Sequence, residues 1–302
     1  MSHDSSTGIT GDQRPDVSDR TPVKIGIAAL TAIALVAFAA NSILARAALT
    51  GTAIDPLSFT AIRIASGALM LWLIVRFQPG LADGRGSWGS ALALFAYAVL
   101  FSLAYLSLTA ATGALLLFGA VQVTMISWSL FTGDRLTPGQ WTGFALALAG
   151  LGWLLLPGLA APPPGAAALM IVAGVAWGIY TLRARGAGDP TRVTASNFLL
   201  ASVPAVLIAV GFFARASLDF RGILLAAGSG ALASGLGYAV WYAALKQIRT
   251  PTAAVAQLSV PVITAIAGVG LLAEPVSLRL VLAGVAVLGG IALVVLKGTR
   301  RT

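Results

Sequence analysis

The chain has 302 residues, of which 58% are apolar and 10% charged, against roughly 25% charge in a soluble domain. One water-excluding core cannot absorb that much apolar surface, so the excess faces lipid and the chain is an integral membrane protein. It has no cysteine, and its one histidine, His3, stands in a polar leader; together these exclude disulfides, thiolate catalysis and histidine or cysteine metal centres. The net charge of +9 comes from basic residues scattered through short loops, a topological signal rather than a nucleic-acid surface.

In chain order, residues 1–23 are polar and read as a disordered cytoplasmic tail. The apolar stretch that opens at Lys24 is too long and too late for a cleaved signal peptide. A span needs about 20 apolar residues. On that rule, ten spans follow at approximately 25–47, 57–77, 88–109, 112–131, 139–156, 166–182, 193–213, 222–245, 251–272 and 277–296, with a short tail at 298–302. They must be helices, because hydrocarbon offers no partner for an open backbone group. With the N-terminus inside, fourteen of the nineteen basic residues fall in inner segments. Only Arg46, Arg215, Arg221 and Arg279 fall in outer loops, and Arg63 lies inside the second span. Both termini are therefore expected in the cytoplasm.

The two halves of the chain resemble each other. Val36-Ala-Phe-Ala-Ala-Asn-Ser-Ile-Leu-Ala-Arg46 aligns with Val175-Ala-Trp-Gly-Ile-Tyr-Thr-Leu-Arg-Ala-Arg185, with four identities and the like pairs Phe38/Trp177 and Ser42/Thr181. Phe101 and Tyr105 match Tyr238 and Tyr242, and Asp134 matches Glu274. Five spans per copy is odd, so the second copy enters the membrane upside down. The fold expected is an all-α membrane protein: ten transmembrane helices arranged as two inverted-topology five-helix repeats, 24–157 and 163–297, around a central cavity. Such repeats are an architecture of secondary transporters that hold substrate near the midplane.

Gly133-Asp-Arg-Leu-Thr-Pro-Gly-Gln-Trp-Thr-Gly143, Leu258-Ser-Val-Pro-Val262 and Leu271-Leu-Ala-Glu-Pro275 resemble the drug/metabolite transporter superfamily, specifically proteins with two EamA-type domains. Trp177-Gly-Ile-Tyr180 and Tyr238-Ala-Val-Trp-Tyr242 look like the same family, and the likeness runs from about residue 25 to 297. The family usually has Glu where Asp134 stands. Within the superfamily the sequence is similar to the YddG-type amino-acid exporters. The resemblance implies a basket of ten helices, alternating access, export, and a place in the bacterial inner membrane.

Several residues can carry chemistry. Arg63 is the one clear charge within a span; an intramembrane arginine is a functional candidate, and its fork suits a substrate carboxylate. The bland reading is a snorkelling or structural arginine. Tyr97, Phe101 and Tyr105 recur every fourth residue on one face of the third helix. Tyr238 with Tyr242, Trp177 with Tyr180, and Phe38 with Asn41 are the corresponding sets on the eighth, sixth and first helices. They suit a cavity wall that binds apolar groups or an ammonium, or else plain packing. Gln122 and Gln257 need polar partners in hydrocarbon, from a wet cavity or from neighbouring helices. Pro204 and Pro261 are expected to free carbonyls and permit kinks. No carboxylate or histidine lies in the middle of a span, so strict proton antiport lacks an obvious carrier.

The reading is a carrier, not an enzyme, that exports amino acids (aromatic or other neutral ones among them) or similar small metabolites. It needs no cofactor, metal, nucleic acid or obligate protein partner beyond its substrate and the bilayer. Efflux of drugs or other metabolites is the alternative, with a channel behind it.

Overall fold

A computed structural model describes residues 21–78, 80–158 and 160–297; the expected tails at 1–20 and 298–302 lie outside these. Residues 21–23 belong to the first helix, not to a tail. Every element is built from apolar helix formers bounded by turn residues. These are α1 (Thr21–Gly51), α2 (Pro56–Phe77), α3 (Trp88–Ala104), α4 (Ala110–Phe131), α5 (Pro138–Leu155), α6 (Pro164–Arg183), α7 (Pro190–Gly211), α8 (Phe220–Gly228), α9 (Gly237–Leu245), α10 (Thr250–Gln257), α11 (Ser259–Leu272) and α12 (Leu278–Lys297).

The twelve segments make ten crossings. A π-helical stretch, Ser229–Leu236, joins α8 to α9, giving one span Phe220–Leu245. The ninth crossing consists of α10 and α11, which part at Leu258. Eight spans are long and apolar enough to cross a membrane, and Trp88–Ala104 is shorter. The remaining crossing, α5, has 18 residues and a polar first turn.

Caps fix where the helices start. Asp55 and Asp189 each precede a proline and accept backbone N–H bonds from the first turns of α2 and α7. Thr137 and Gln140 form a reciprocal capping box on α5. At Pro261 the missing N–H cannot bond the carbonyl of Gln257, and the helix breaks at Leu258, one residue past that carbonyl. By contrast α7 runs unbroken past Pro204.

The packing has a two-fold exchange built into it. The α3–α6 pair corresponds to α1 against the α8–α9 span, α2 against the eighth span to α3 against α7, and α4–α6 to α1–α11. The pairs α2–α7, α4–α11 and α5–α12 map onto themselves. Every one of these relations exchanges a crossing with the one five later. Two backbone bonds repeat the exchange in atomic detail: the N–H of Asp55 donates to the carbonyl of Ser217 at 3.0 Å, and the N–H of Asp189 donates to the carbonyl of Asp83 at 3.1 Å. Asp55 and Asp189 are related by the same chain offset as Asp83 and Ser217, and the two bonds lie at opposite ends of the bundle.

Close approach needs small residues where no hydrophobic force separates helix from lipid. A Cβ at Gly143 on α5 would meet the carbonyl oxygen of Gly290 on α12, and one at Gly290 would meet that of Gly143. A Cβ at Gly230 in the π segment would collide with the Arg63 carbonyl on α2.

Candidate functional site

The site grows from the aromatic faces. On α3, Tyr97 packs tilted against Phe101 with centroids 5.4 Å apart, and Phe101 meets Tyr105 edge to face at 4.6 Å. Tyr97 meets Trp177 of α6 at 4.3 Å, Trp177 meets Tyr238 at 5.7 Å, and Tyr238 meets Phe38 of α1 at 5.6 Å. Tyr242 stacks on Tyr238 at 6.0 Å. Members of all four expected sets thus join in one connected series of ring contacts, with Tyr180 outside it. Each pair adds about 1 kcal/mol beyond the area it buries.

This wall bounds a cavity between the halves, lined by Phe38, Asn41 and Ser42 of α1, Tyr97 and Phe101 of α3, Leu117, Phe118, Val121 and Met125 of α4, Trp177 and Thr181 of α6, and Gln257 at the end of α10. Its volume is about 90 Å³, below the roughly 300 Å³ of ordinary ligand pockets. Anything larger than a few waters requires its walls to part. A wider groove of about 490 Å³ lies between α4, α11 and α12, but its lining from Leu115 to Gly289 is wholly apolar and offers nothing to orient a polar molecule.

Of the expected site residues, Phe38, Asn41, Tyr97, Phe101, Trp177 and Gln257 line the cavity. Tyr180, Tyr238 and Tyr242 stand behind it: the hydroxyls of Tyr180 and Tyr242 both bond Thr194 of α7, at 3.3 and 2.8 Å. Gln122 is buried on α4 beside the lining Val121 without forming the wall. Sequence reasoning missed Ser42, Thr181, Phe118 and Met125. The first two had a usable signal, since they are equivalent positions next to Asn41 and Tyr180 in the repeated motif.

Arg63 lies outside the wall, 3% exposed. Its guanidinium sits over the rings of Phe101 (4.6 Å) and Tyr97 (5.2 Å), and Nη2 donates to the Tyr97 hydroxyl at 2.8 Å. Nη1 is buried without a partner. The Tyr97 oxygen also accepts from Asn41 Nδ2 at 3.4 Å, and Asn41 Oδ1 accepts from Ser229 of the π segment at 2.6 Å.

An ion-pair cluster ties the bundle together at one end. Arg46 Nε donates to Glu274 Oε1 at 2.8 Å, and both side chains are mostly buried. Arg46 Nη1 donates to the carbonyl of Tyr105 at 2.9 Å, and Glu274 Oε2 accepts the Ala110 N–H at the start of α4 at 2.7 Å. The carboxylate therefore neutralises both a guanidinium and a helix N-terminus. The cluster ties α1, α3 and α4, three of the five walls, to the end of α11. Ala273 supports it with the one non-glycine positive φ among the described residues, 51°, turning the chain so that Glu274 points inward. Toward this end α4 is buried almost throughout 110–122; toward the other, 123–131, it is half-buried or exposed.

The comparisons follow this geometry. A model described as "EamA-like transporter family" matches residues 165–296. A Pseudomonas aeruginosa protein described as uncharacterised is 54% identical over 266 residues, covering 88% of this chain and 93% of its own. The chain belongs to the EamA-like transporter family. An Archaeoglobus fulgidus protein described as an uncharacterised transporter is 28% identical, covering 81% of this chain and 89% of its own. A crystal structure with a TM-score of 0.63, 21% identical, covers 91% of this chain and 99% of that one, and carries the fold alone. As an EamA-like protein the chain is a multi-pass membrane transporter, and members of the family are transporters rather than enzymes.

Proposed function

We propose that this transporter is a secondary carrier that exports amino acids, aromatic or other neutral ones among them, or similar small metabolites by alternating access. The observation that carries the reading is the cavity between the two halves, which pairs an aromatic wall with the amides of Asn41 and Gln257 and the hydroxyls of Ser42 and Thr181. An apolar wall with a few convergent polar groups suits a small molecule that has an apolar body and a hydrogen-bonding head. Among the described residues no acid lines the cavity, which disfavours cationic drugs. The same lack favours uncoupled export down a gradient over strict proton antiport. The excess of basic residues in the inner segments supports cytoplasmic termini, in a bacterial inner membrane as the family resemblance implies; the Arg46–Glu274 end is then the outer one. The repeats are residues 24–157 and 163–297.

Counterflow tests this. Proteoliposomes of the full chain, preloaded with an unlabelled amino acid and offered the labelled one in trace, are expected to accumulate label transiently with or without a pH gradient. A strict requirement for the gradient sinks the uncoupled mechanism, and flux without counterflow makes the protein a channel.

A further inference from the structure

Arg63 presents an unresolved charge. Burying a guanidinium is costly, and two cation–π contacts return only part of that cost. Among the described residues no carboxylate lies within 4 Å of it, and Glu274 is already paired with Arg46. One nitrogen, Nη1, has no partner at all. The bundle therefore holds a positive charge behind Tyr97 and Phe101 that no carboxylate among the described residues pairs.

The hydrogen bonds around it have a direction. Ser229 donates to Asn41, Asn41 donates to Tyr97, and Arg63 donates to Tyr97. Neither bond at the Tyr97 oxygen uses the phenol's own proton. A hydroxyl that accepts from a guanidinium becomes a stronger donor, and Tyr97 lines the cavity. We propose that the cavity takes a molecule carrying a carboxylate, that the carboxylate accepts the Tyr97 hydroxyl proton, and that Arg63 acts through Tyr97 as a positioning and charge-balancing residue rather than by gripping the anion with its fork. This deepens the carrier reading and rests on it: the substrate class is organic carboxylates. The sequence reading gave the carboxylate to the Arg63 fork itself; in this proposal the Tyr97 phenol stands between the two.

The test is calorimetric titration of the purified full chain in micelles at neutral pH with benzoate and with its uncharged isostere benzamide. Benzoate is expected to bind roughly ten-fold or more tightly, the worth of one charge-assisted hydrogen bond. Tyr97→Phe, which deletes one oxygen and keeps the ring contacts, is expected to bring the two affinities together. Arg63→Gln is expected to do the same, and Arg63→Lys to restore part of the preference; a merely structural arginine gives no such return of discrimination. Equal affinities in the parent chain, no binding of either at millimolar concentration, or a preference that survives Tyr97→Phe overturns the proposal. Counterflow of phenylalanine in the same preparation separates the two readings. If it is absent while benzoate is still preferred, amino acids are removed as the substrate and the carboxylate site stands.

Discussion

The two ends of the cavity are built from equivalent sequence and do different things. At one end the fourth crossing finishes at Gly133 and Asp134; at the other the ninth finishes at Ala273 and Glu274. Both turns use a positive φ, 100° and 51°. Glu274 reaches Arg46 and the start of α4. Asp134, one methylene shorter, is exposed and accepts from Ser129 of its own helix. Arg185, the repeat mate of Arg46, is exposed, and among the described residues the two do not pair. An inverted repeat thus gives each end the parts for a latch, and the structure assembles only one. A molecule whose halves can exchange these roles has the two states that alternating access requires.

The largest expected effect on this contrast comes from breaking the assembled latch. Glu274→Ala leaves Arg46 and the α4 N-terminus uncompensated in a mostly buried place, and is expected to cost about 3 kcal/mol, read as a fall in the thermal midpoint in micelles. A change under about 0.5 kcal/mol contradicts the latch. Next is Asp55, which holds the α1–α2 turn to Ser217 at the same end. Asp55→Ala is expected to cost about 1–2 kcal/mol.

The same carboxylate gives the fold a pH dependence. Partial burial pushes the Asp55 carboxyl up, but hydrogen bonds from Ser58, Ser217 and Leu57 outweigh that and hold it below its ordinary value of 3.8. A lowered carboxylate stabilises the fold above its unfolded value and loses that contribution as pH falls through the folded one. Stability should therefore drop below about pH 4 in the parent chain, and less steeply in Asp55→Ala. Identical acid profiles refute this.

Smaller effects sharpen the comparison at the two turns. Ala273→Gly relieves a left-handed residue and should stabilise by about 1 kcal/mol, while Gly133→Ala should destabilise by a similar amount; same-sign shifts in denaturation midpoint contradict the assigned turns. Last, Asp134→Asn at the unlatched end should stay within about 0.5 kcal/mol of the parent. A loss matching that of Glu274→Ala would mean the two ends are equally closed.

How much of this was legible in the sequence depends on the range of the interaction. The helices were, since hydropathy is local, although the expected starts at 57, 139 and 193 fell one to three residues inside the capped ones at Pro56, Pro138 and Pro190. The aromatic wall was legible because each face repeats at helical spacing and each set recurs in the other half. The break near Gln257 was signalled by Pro261, yet the same reasoning at Pro204 met an unbroken α7, whose neighbours hold it in line. In and beside the π segment, Gly228, Gly230, Gly235 and Gly237 signal close helix approach, but its winding and its contact with Arg63 are tertiary facts. Nor did the Arg46–Glu274 pair: both residues were matched to repeat mates, but nothing local says that partners 228 positions apart meet at one end and not at the other. Arg63 was singled out for its charge, while its place behind Tyr97 depended on the packing of α2 against α3.

Under the proposed alternating access, the cavity is reached from one end at a time. Because the chain has no cysteine, Ser42→Cys in the cavity wall gives a single reporter for a membrane-impermeant maleimide in vesicles of known orientation. The account predicts labelling from the Asp134 side and not from the Arg46 side, with access from the Arg46 side appearing when Glu274→Gln is added. Equal labelling from both sides of the unmodified latch would contradict it.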